Sequence, residues 1–331
     1  MDQKNPHSIQ KKAAIELPDS KNSRMSGARR FAHEAMAAVF EIYIEHSDAY
    51  YAEQAAYAAF EELDRLEQEL SRYIENSDIS RINHAANDKP IRIGLDAFDC
   101  LKQCQILHQE TGGAFDATIG LLYGCWIHPD KSPKQPAAEE LEFARKHTGM
   151  RRLELNEDDH TARVIDPPIH IDLGGIGKGF AVDRMGACLR DWEIDAALIH
   201  GGWSTALALD APAGQAGWPA LLRHLLTHKA PLMHEAFERL SLRRQAVSAS
   251  GLRKGPHIID PRTGQPVQES RAAWSGAPRA ADADALSTAF MVMSGEEIQR
   301  FCEKRPQVWG IVYREKPGES GGSMERFGRQ P

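Results

Sequence analysis

The segment Ile171-Asp-Leu-Gly-Gly-Ile-Gly-Lys-Gly179 places four glycines and one lysine within nine residues. The apolar residues of 169–173 predict a strand before it, and residues 178–191 have the spacing of a helix. Glycines let a backbone approach a ligand closely, and a helix N-terminus offers N–H groups to an anion. We therefore predict a phosphate or pyrophosphate site here, with a tight strand–helix turn that binds nothing as the alternative.

The spacing of this segment differs from two common phosphate-binding motifs. A Walker loop has four residues between its glycines and then Gly-Lys-Ser/Thr, whereas Lys178 is followed by Gly179. The dinucleotide fingerprint G-x-G-x-x-G is not matched either. The glycine segment therefore belongs to another class of turn.

The composition indicates a globular protein and excludes several functional classes. The chain has 331 residues, of which 42% are hydrophobic and 26% are charged. Its net charge of −7 gives no reason to expect a nucleic-acid partner. Five scattered cysteines argue against a disulfide framework, and no apolar run approaches the roughly 18 residues of a membrane span.

The order of the predicted elements favours an α+β fold in one unit, because helices and strands are mixed rather than regularly alternating. Residues 1–30 lack an apolar signal core, so we predict a mobile N-terminal arm and a cytoplasmic protein. The folded unit is predicted over 31–314, with a mobile C-terminal tail over 315–331. Strands are predicted over 35–45, 169–173, 196–200, 206–209, 219–225, 247–250, 256–260, 271–279 and 307–313, and a hairpin over 152–165; helices are predicted over 49–70, 95–110, 138–148, 178–191, 282–293 and 295–304; 230–246 fits either.

Three further segments carry candidate functional residues. In Thr111-Gly-Gly-Ala-Phe-Asp116, two glycines permit a sharp turn that presents Phe115 and Asp116, although Phe115 also fits the core and Asp116 also fits a backbone cap. Asp284 and Thr288 lie four apart on a predicted helix and suit a hard cation such as Mg²⁺, whereas a helix-capping role for Asp282 or Asp284 is the alternative. His257 is a single histidine among fourteen.

Taken in order, these motifs resemble the FAD:protein FMN transferases, also called ApbE-like flavin transferases. The resemblance covers about residues 36–313. It is carried by Met36 with the strand to Ile42, Leu70-Ser-Arg-Tyr73 through Ser80-Arg-Ile-Asn83, Thr111–Asp116, Ile171–Gly179 through Asp183-Arg184, Ser248-Ala-Ser-Gly251, His257-Ile-Ile-Asp-Pro-Arg-Thr-Gly264 and Asp284-Ala-Leu-Ser-Thr288.

The resemblance implies a single α+β domain related to the tunnelling fold, with FAD bound in a cleft between its halves. It implies a Mg²⁺-dependent enzyme that moves FMN from FAD onto a Thr or Ser hydroxyl of an acceptor flavoprotein. The product is a phosphoester, and AMP is released. Two alternatives share the fold: an FAD pyrophosphatase that yields FMN and AMP, and an FAD-binding protein that has lost catalysis.

The resemblance also assigns site residues. Met36 and Tyr73 would line the flavin-nucleotide site, and Ala114, Phe115 and Asp116 would contact FAD. Asp172 and Lys178 would hold the nucleotide near its ribose or phosphates. Asp284 and Thr288 would bind Mg²⁺ together with a backbone carbonyl near Gly175, and His257 would assist proton transfer with Asp284 as the rival base.

The sequence departs from the family pattern at four places. Ala37-Ala38 stands where the family usually has Gly-Thr, and Ser248-Ala-Ser-Gly251 replaces Ser-Thr-Ser-Gly. Trp203 follows Gly201-Gly202 where the family often has a polar residue, and we expect its ring to pack in the core rather than on a flavin. Residues 210–246 match the family poorly.

Overall fold

The computed structural model describes residues 13–17, 27–86, 88–226, 233–251, 257–267, 271–315 and 322–330. The helices are α1 Ala49–Leu70, α2 Asp78–Asn83, α3 Leu95–Glu110, α4 Gly120–Trp126, α5 Ala138–Lys146, α6 Gly177–Asp191, α7 Ala280–Ala289 and α8 Gly295–Lys304. The strands are β1 Ala13–Glu16, β2 Arg29–Ala35, β3 Ala38–Ile44, β4 Ile91–Arg92, β5 Leu153–Asn156, β6 Thr161–Val164, β7 Ala197–Gly201, β8 Thr205–Ala208, β9 Trp218–Leu226, β10 Met233–Leu242, β11 Gln245–Gly251, β12 Ile259–Asp260, β13 Gln265–Pro266, β14 Arg271–Ala277, β15 Trp309–Glu315 and β16 Gly322–Phe327.

The central element is an eight-stranded sheet with the order β16-β15-β14-β11-β8-β7-β3-β2. Every neighbouring pair in it is antiparallel. Two three-stranded sheets, β1-β9-β10 and β4-β6-β5, and the two-stranded sheet β12-β13 complete the strands of the described residues. The α+β prediction is confirmed. None of the described helices combines the length and the apolar character that crossing a bilayer requires.

Both faces of the large sheet are buried, each in its own apolar cluster. On β3, Ile42 and Ile44 face the cluster that holds the buried sides of α1, α3, α6 and α7, whereas Tyr43 faces the second cluster. That second cluster joins the sheet to β1, β9 and β10 through Trp218 and Trp274. Alternating burial of this kind fixes the strand register, because a one-residue slip would exchange the two faces.

The long helix α1 follows the local signals of its sequence. The Asp48 carboxylate caps it by accepting the N–H groups of Tyr50 and Tyr51 at 2.9 and 3.1 Å. Helix α1 packs against α6, and its buried residues include four small ones: Ala52, Ala55, Ala56 and Ala59. The predicted helices 49–70, 95–110 and 295–304 are confirmed at both ends.

The predicted strand 35–45 is wrong at its start, because a hairpin turn interrupts it. β2 and β3 pair from Arg29–Ile44 to Ala35–Ala38, and Met36 and Ala37 form the two-residue connection. Both residues have positive φ, 49° and 54°, as a type I′ turn requires. Such turns usually carry Asn or Gly, so the sequence Met-Ala gives no turn signal.

The predicted strand 169–173 is also wrong, since none of these residues is in a strand. The backbone of Ile171 bonds instead to one side chain: Asn83 Nδ2 donates to its carbonyl at 2.9 Å, and its N–H donates to Asn83 Oδ1 at 2.6 Å. The Asp172 N–H donates to the Ala117 carbonyl at 2.7 Å. The segment is apolar because it is buried, not because it pairs with a strand.

The predicted termini are too long. Within the arm, Ala13–Glu16 pair with β9 and Arg29 begins β2; within the tail, Gly322–Phe327 pair with β15. Residues 1–12, 18–26, 316–321 and 331 lie outside the described residues. The ambiguous 230–246 includes β10 and the start of β11, and α7 begins two residues before the predicted 282 and ends at Ala289. Of the predicted strand 256–260, only Ile259–Asp260 are in a strand, and residue 256 is not described.

The turn at Ala37 yields a prediction about stability. Ala37→Gly should raise the free energy of unfolding by up to about 1 kcal/mol. Glycine removes the strain of the left-handed backbone at this position, which is about 1–2 kcal/mol for an L-residue. This gain exceeds the cost of about 0.5–1 kcal/mol that comes from the greater conformational entropy of glycine in the unfolded chain. Urea denaturation measures the difference. Ala38→Gly is the control, since Ala38 is in β3 and should lose about 0.5–1 kcal/mol. A destabilised Ala37→Gly would contradict the strained turn.

Candidate functional site

A cavity of about 610 Å³ opens between the β2–β3 turn, the end of α1, the glycine segment and the residues around His257. This volume is within the usual range for small-molecule sites. All but one of the predicted site residues line it: Met36, Tyr73, Ala114, Phe115, Asp116, Asp172, Gly175, Lys178, His257 and Thr288. The exception, Asp284, lies directly behind the cavity surface, with its carboxylate 3.8 Å from Lys178 Nζ.

Two helices, α6 and α7, meet beneath this cavity, and a carboxylate of each accepts backbone N–H groups of the other. Asp183 of α6 accepts the N–H groups of Ala280 and Ala281 at 2.7 and 2.9 Å, and so caps the N-terminus of α7. Asp284 of α7 accepts the Gly179 N–H in the first turn of α6 at 3.1 Å. Each helix thus provides the N-terminal cap of the other. Neither Asp282 nor Asp284 caps its own helix, which begins at Ala280.

The crossing of α6 and α7 requires a glycine. A Cβ at position 179 would overlap the Ala280 carbonyl oxygen and lie 2.8 Å from Asp284 Cβ. The close approach is what lets the Asp284 carboxylate reach the Gly179 N–H. The fourth glycine of the sequence motif therefore serves helix packing rather than direct ligand contact.

The Asp284 carboxylate is buried and held by several donors. Besides the Gly179 N–H, Thr205 Oγ1 and Ser248 Oγ donate to Asp284 Oδ1 at 3.2 and 3.1 Å. Its side chain is 5% exposed. These contacts fix the position of the carboxylate relative to β8, β11 and α6.

Side-chain oxygens of α7 and β11 lie close together beneath the glycine segment. Thr288 Oγ1 lies 3.2 Å from Ser250 Oγ of β11, and a Cβ at Gly175 would lie 3.2 Å from Thr288 Oγ1. The backbone of the glycine segment therefore passes directly over Thr288. A carboxylate, a hydroxyl and backbone carbonyls are the donors that Mg²⁺ prefers, so the residues present fit a hard cation.

The N-terminus of α6 is less open to an anion than the sequence suggests. The Gly177 N–H donates to the Leu173 carbonyl at 2.7 Å, and the Gly179 N–H is used by Asp284. Lys178 is the cation that this helix end presents to the cavity, and its Nζ also lies 3.5 Å from the Gly174 carbonyl.

Asp172 and Tyr73 are connected through Arg72, which the motif analysis left without a role. The Arg72 guanidinium lies 3.4 Å from the Asp172 carboxylate and 4.7 Å from the centre of the Tyr73 ring. Asp172 Oδ1 also accepts the Gly174 N–H at 2.9 Å, which shapes the glycine turn. Tyr73 is 81% exposed at the rim of the cavity, so its ring is available to a ligand.

The segment Thr111–Asp116 presents Ala114 and Phe115 to the cavity, and both are buried. The Asp116 carboxylate is held by protein partners: it accepts the N–H and the hydroxyl of Thr118 at 2.8 and 2.6 Å and lies 3.2 Å from His108 Nδ1. This carboxylate raises the pKa of His108. Asp116 therefore shapes the cavity wall through these contacts.

The expectation that Trp203 packs in the core is wrong. Trp203 is 54% exposed and has a φ of 65°, and its ring meets His200 edge-on at 6.0 Å between centroids. The following residue, Ser204, lines the cavity.

Sequence reasoning missed several polar residues around the site. Thr205 and Ser248 hold Asp284, Arg72 holds Asp172, and Tyr123 lines the cavity with a pKa raised by burial. For Ser248 a signal existed, because the Ser-Ala-Ser-Gly segment keeps both serines that contact Asp284 and Thr288. Thr205 lies in an apolar strand with no recognisable motif.

Comparison with known proteins gives a consistent family. The model of the ApbE family matches residues 36–312. The chain is 30% identical to FAD:protein FMN transferases of Chlamydia trachomatis, over 71% of this chain and 74% of that protein, and of Chlamydia muridarum, over 62% and 64%. It thus spans slightly less than two thirds of the second relative.

Solved structures show the same fold. Flavin transferase ApbE from Vibrio cholerae superposes with a TM-score of 0.77 at 21% identity, covering 91% of this chain and 97% of that one. The ApbE protein of Thermotoga maritima superposes with a TM-score of 0.76 at 24% identity, covering 91% and 97%.

The half-buried Asp183 that caps α7 gives a pH-dependent prediction. Burial raises the pKa of Asp183 to about 6 from its ordinary value of 3.8, against the opposing effect of the two N–H groups. The folded state therefore holds this proton more tightly than the unfolded state does. The associated stability is complete below about pH 4 and is lost as the pH rises through 6, by about 3 kcal/mol at most.

Asp183→Asn removes this titration, so its unfolding free energy should fall less between pH 4.5 and pH 7.5 than that of the wild type. Urea denaturation at both pH values measures, for each protein, the slope of the unfolding free energy against pH. Asp191→Asn, at the exposed end of the same helix, is the matched control and should keep the wild-type slope. Equal slopes for Asp183→Asn and wild type would contradict the assignment.

Proposed function

Because the chain belongs to the ApbE family, we propose that it is a FAD:protein FMN transferase that moves FMN from FAD onto a Thr or Ser hydroxyl of an acceptor flavoprotein. The bond formed is a phosphoester, and AMP is the second product. The observation that carries the proposal is the arrangement of Asp284, Thr288 and Gly175 beside Lys178 at the base of the large cavity. A scaffold or a simple binding module has no need of buried oxygen donors at such a place.

The lining of the large cavity supports FAD as the ligand. Tyr73, Phe115 and Tyr123 provide aromatic surface for the rings of the dinucleotide, and Lys178 provides a positive charge for its pyrophosphate. Met36 and Ala114 add apolar contacts. Asp172, held by Arg72, would accept hydrogen bonds from ribose hydroxyls.

We propose that Asp284, Thr288 and a backbone carbonyl near Gly175 hold Mg²⁺. When bound, the cation would neutralise charge on the pyrophosphate, which is the main requirement of phosphoryl transfer. These residues contribute one carboxylate and otherwise neutral oxygens, so the site matches a cation that completes its coordination with phosphate oxygens and water.

His257 is the proposed general base. It would accept the proton of the acceptor hydroxyl as that oxygen forms a bond to the FMN phosphorus. The bond from this phosphorus to the bridging oxygen breaks, and AMP leaves with the electron pair. Asp284 suits this role less well, because both of its oxygens already accept hydrogen bonds from Gly179, Thr205 and Ser248.

The proposal is tested with purified protein, FAD and Mg²⁺, in the presence or absence of Thr-containing peptides. AMP, FMN and the peptide mass are measured together. A peptide that gains the mass of an FMN phosphoester while AMP is released supports the transferase. AMP and free FMN regardless of peptide would indicate a pyrophosphatase, and FAD binding without AMP would indicate a protein that has lost catalysis.

Asp284→Asn should lower the rate of AMP release by about 100-fold or more, because the variant loses the charge at the proposed cation site. Asp282→Asn is the matched control: Asp282 is buried on the same helix but receives a hydrogen bond from Gln103, away from the cavity. We expect the rate of the control to stay within a few-fold of wild type. Similar losses in both variants would assign the effect to α7 rather than to the site.

His257→Ala should lower the rate of FMN transfer by about 10²–10⁴-fold, the usual contribution of a general base, while FAD affinity changes little. Flavin fluorescence measures affinity, and peptide mass measures transfer. A residual rate that rises with pH is expected, since hydroxide can replace the base. An unchanged transfer rate would remove His257 from the mechanism.

A further inference from the structure

A second cavity, of about 310 Å³, adjoins the first and has a different character. Asp116 and Pro261 line both cavities. The other charged groups of the second cavity are His108, Arg145, Arg151 and Arg262. Three guanidinium groups and an imidazole thus surround a small space beside the proposed FAD site, in a chain whose net charge is −7.

Two of these four groups already have acidic partners. Arg262 contacts Asp260 at 2.9 Å and Glu297 at 2.8 Å, and His108 contacts Asp116 at 3.2 Å. Arg145 and Arg151 differ, because within the described parts of the chain neither forms an ion pair or a side-chain hydrogen bond. Both are exposed, and they leave two positive charges for a ligand.

The chemistry of this second cavity favours carboxylates over a nucleotide. A guanidinium fork matches the two oxygens of a carboxylate. Among the described residues, its lining offers no Phe, Tyr or Trp on which a base could stack, whereas the large cavity offers several. The second cavity has about half the volume of the first.

We propose that Arg145 and Arg151 bind Asp or Glu side chains of the acceptor protein, next to the Thr or Ser that receives FMN. The inference rests on the proposed function, because it identifies the acceptor as a protein with an acidic segment beside its hydroxyl. The shared residues Asp116 and Pro261 place this contact at the border of the large cavity. A segment held by the two arginines therefore passes the proposed FAD site.

The test uses two fluorescein-labelled peptides with one central Thr. One carries three Asp residues on each side, separated by glycines, and the other carries Asn in the same positions. Fluorescence anisotropy gives their Kd for the 331-residue protein, with and without FAD. Wild type should bind the Asp peptide about tenfold or more tightly than the Asn peptide, and added salt should reduce the difference.

Arg145→Glu/Arg151→Glu should abolish this preference or reverse it. The matched control is Arg190→Glu/Arg239→Glu, which makes the same charge change; Arg190, like Arg145, is in the last turn of its helix. Neither control residue lines a cavity described here, and the control should keep the preference.

The proposal would be overturned by equal binding of the two peptides by wild type, by a preference that survives in Arg145→Glu/Arg151→Glu, or by an equal loss in the control. Displacement of the Asp peptide by micromolar inorganic phosphate or AMP would assign the cavity to a phosphate group instead. FAD binding and AMP release are measured separately, so a failure of the transferase proposal is distinguished from a failure of this one.

Discussion

The mutual capping of α6 and α7 is the constraint on which the site depends. Asp183 binds the first N–H groups of α7, and Asp284 binds an N–H in the first turn of α6. Each carboxylate lies at the positive end of the opposite helix dipole, so both contacts are favourable in charge as well as in hydrogen bonding. The pair fixes the distance between the helix that carries Lys178 and the helix that carries Asp284 and Thr288. Gly179 makes the arrangement possible, since any side chain there would separate the helices.

The sheet fixes the remaining oxygen atoms relative to these helices. Thr205 and Ser248 belong to the adjacent strands β8 and β11, and their hydroxyls lie 3.0 Å apart while both contact Asp284. Ser250, two residues further along β11, reaches Ser287 and Thr288 on the same face of the sheet. Alternation along one strand thus supplies two hydroxyls to α7, and the residue between them, Ala249, faces the other apolar cluster. The change from Thr to Ala at this position therefore leaves the hydroxyls that hold Asp284 and Thr288 in place.

Much of the fold could be predicted because its signals are local. The helices 49–70, 95–110 and 295–304 follow from apolar periodicity and caps within a few residues. The failures concern partners distant in sequence: the apolar 169–173 bonds to Asn83, and β1 lies against β9 some 200 residues later. The β2–β3 turn was missed for another reason, since Met36 and Ala37 lack the usual turn residues. For the candidate site, the order of the motifs along the chain indicated a family, and the residues assigned through that family lie around one cavity in the structure. The Asp183–Ala280 contact joins residues 97 apart, and no pattern in a single sequence indicates it.

The hydrogen bonds around Asp284 also bear on the chemistry proposed for it. Because its position is fixed before any ligand arrives, little reorganisation is required when charge develops in the cavity, which is the condition for effective electrostatic stabilisation. The same hydrogen-bond donors partly compensate the negative charge of Asp284, and Lys178 Nζ lies 3.8 Å from its carboxylate. The carboxylate alone is therefore a weak ligand for a divalent cation. The phosphate oxygens of FAD would supply what Asp284 lacks. Binding of the cation and binding of the dinucleotide would then be coupled. The complete site would form only when the protein has already bound FAD.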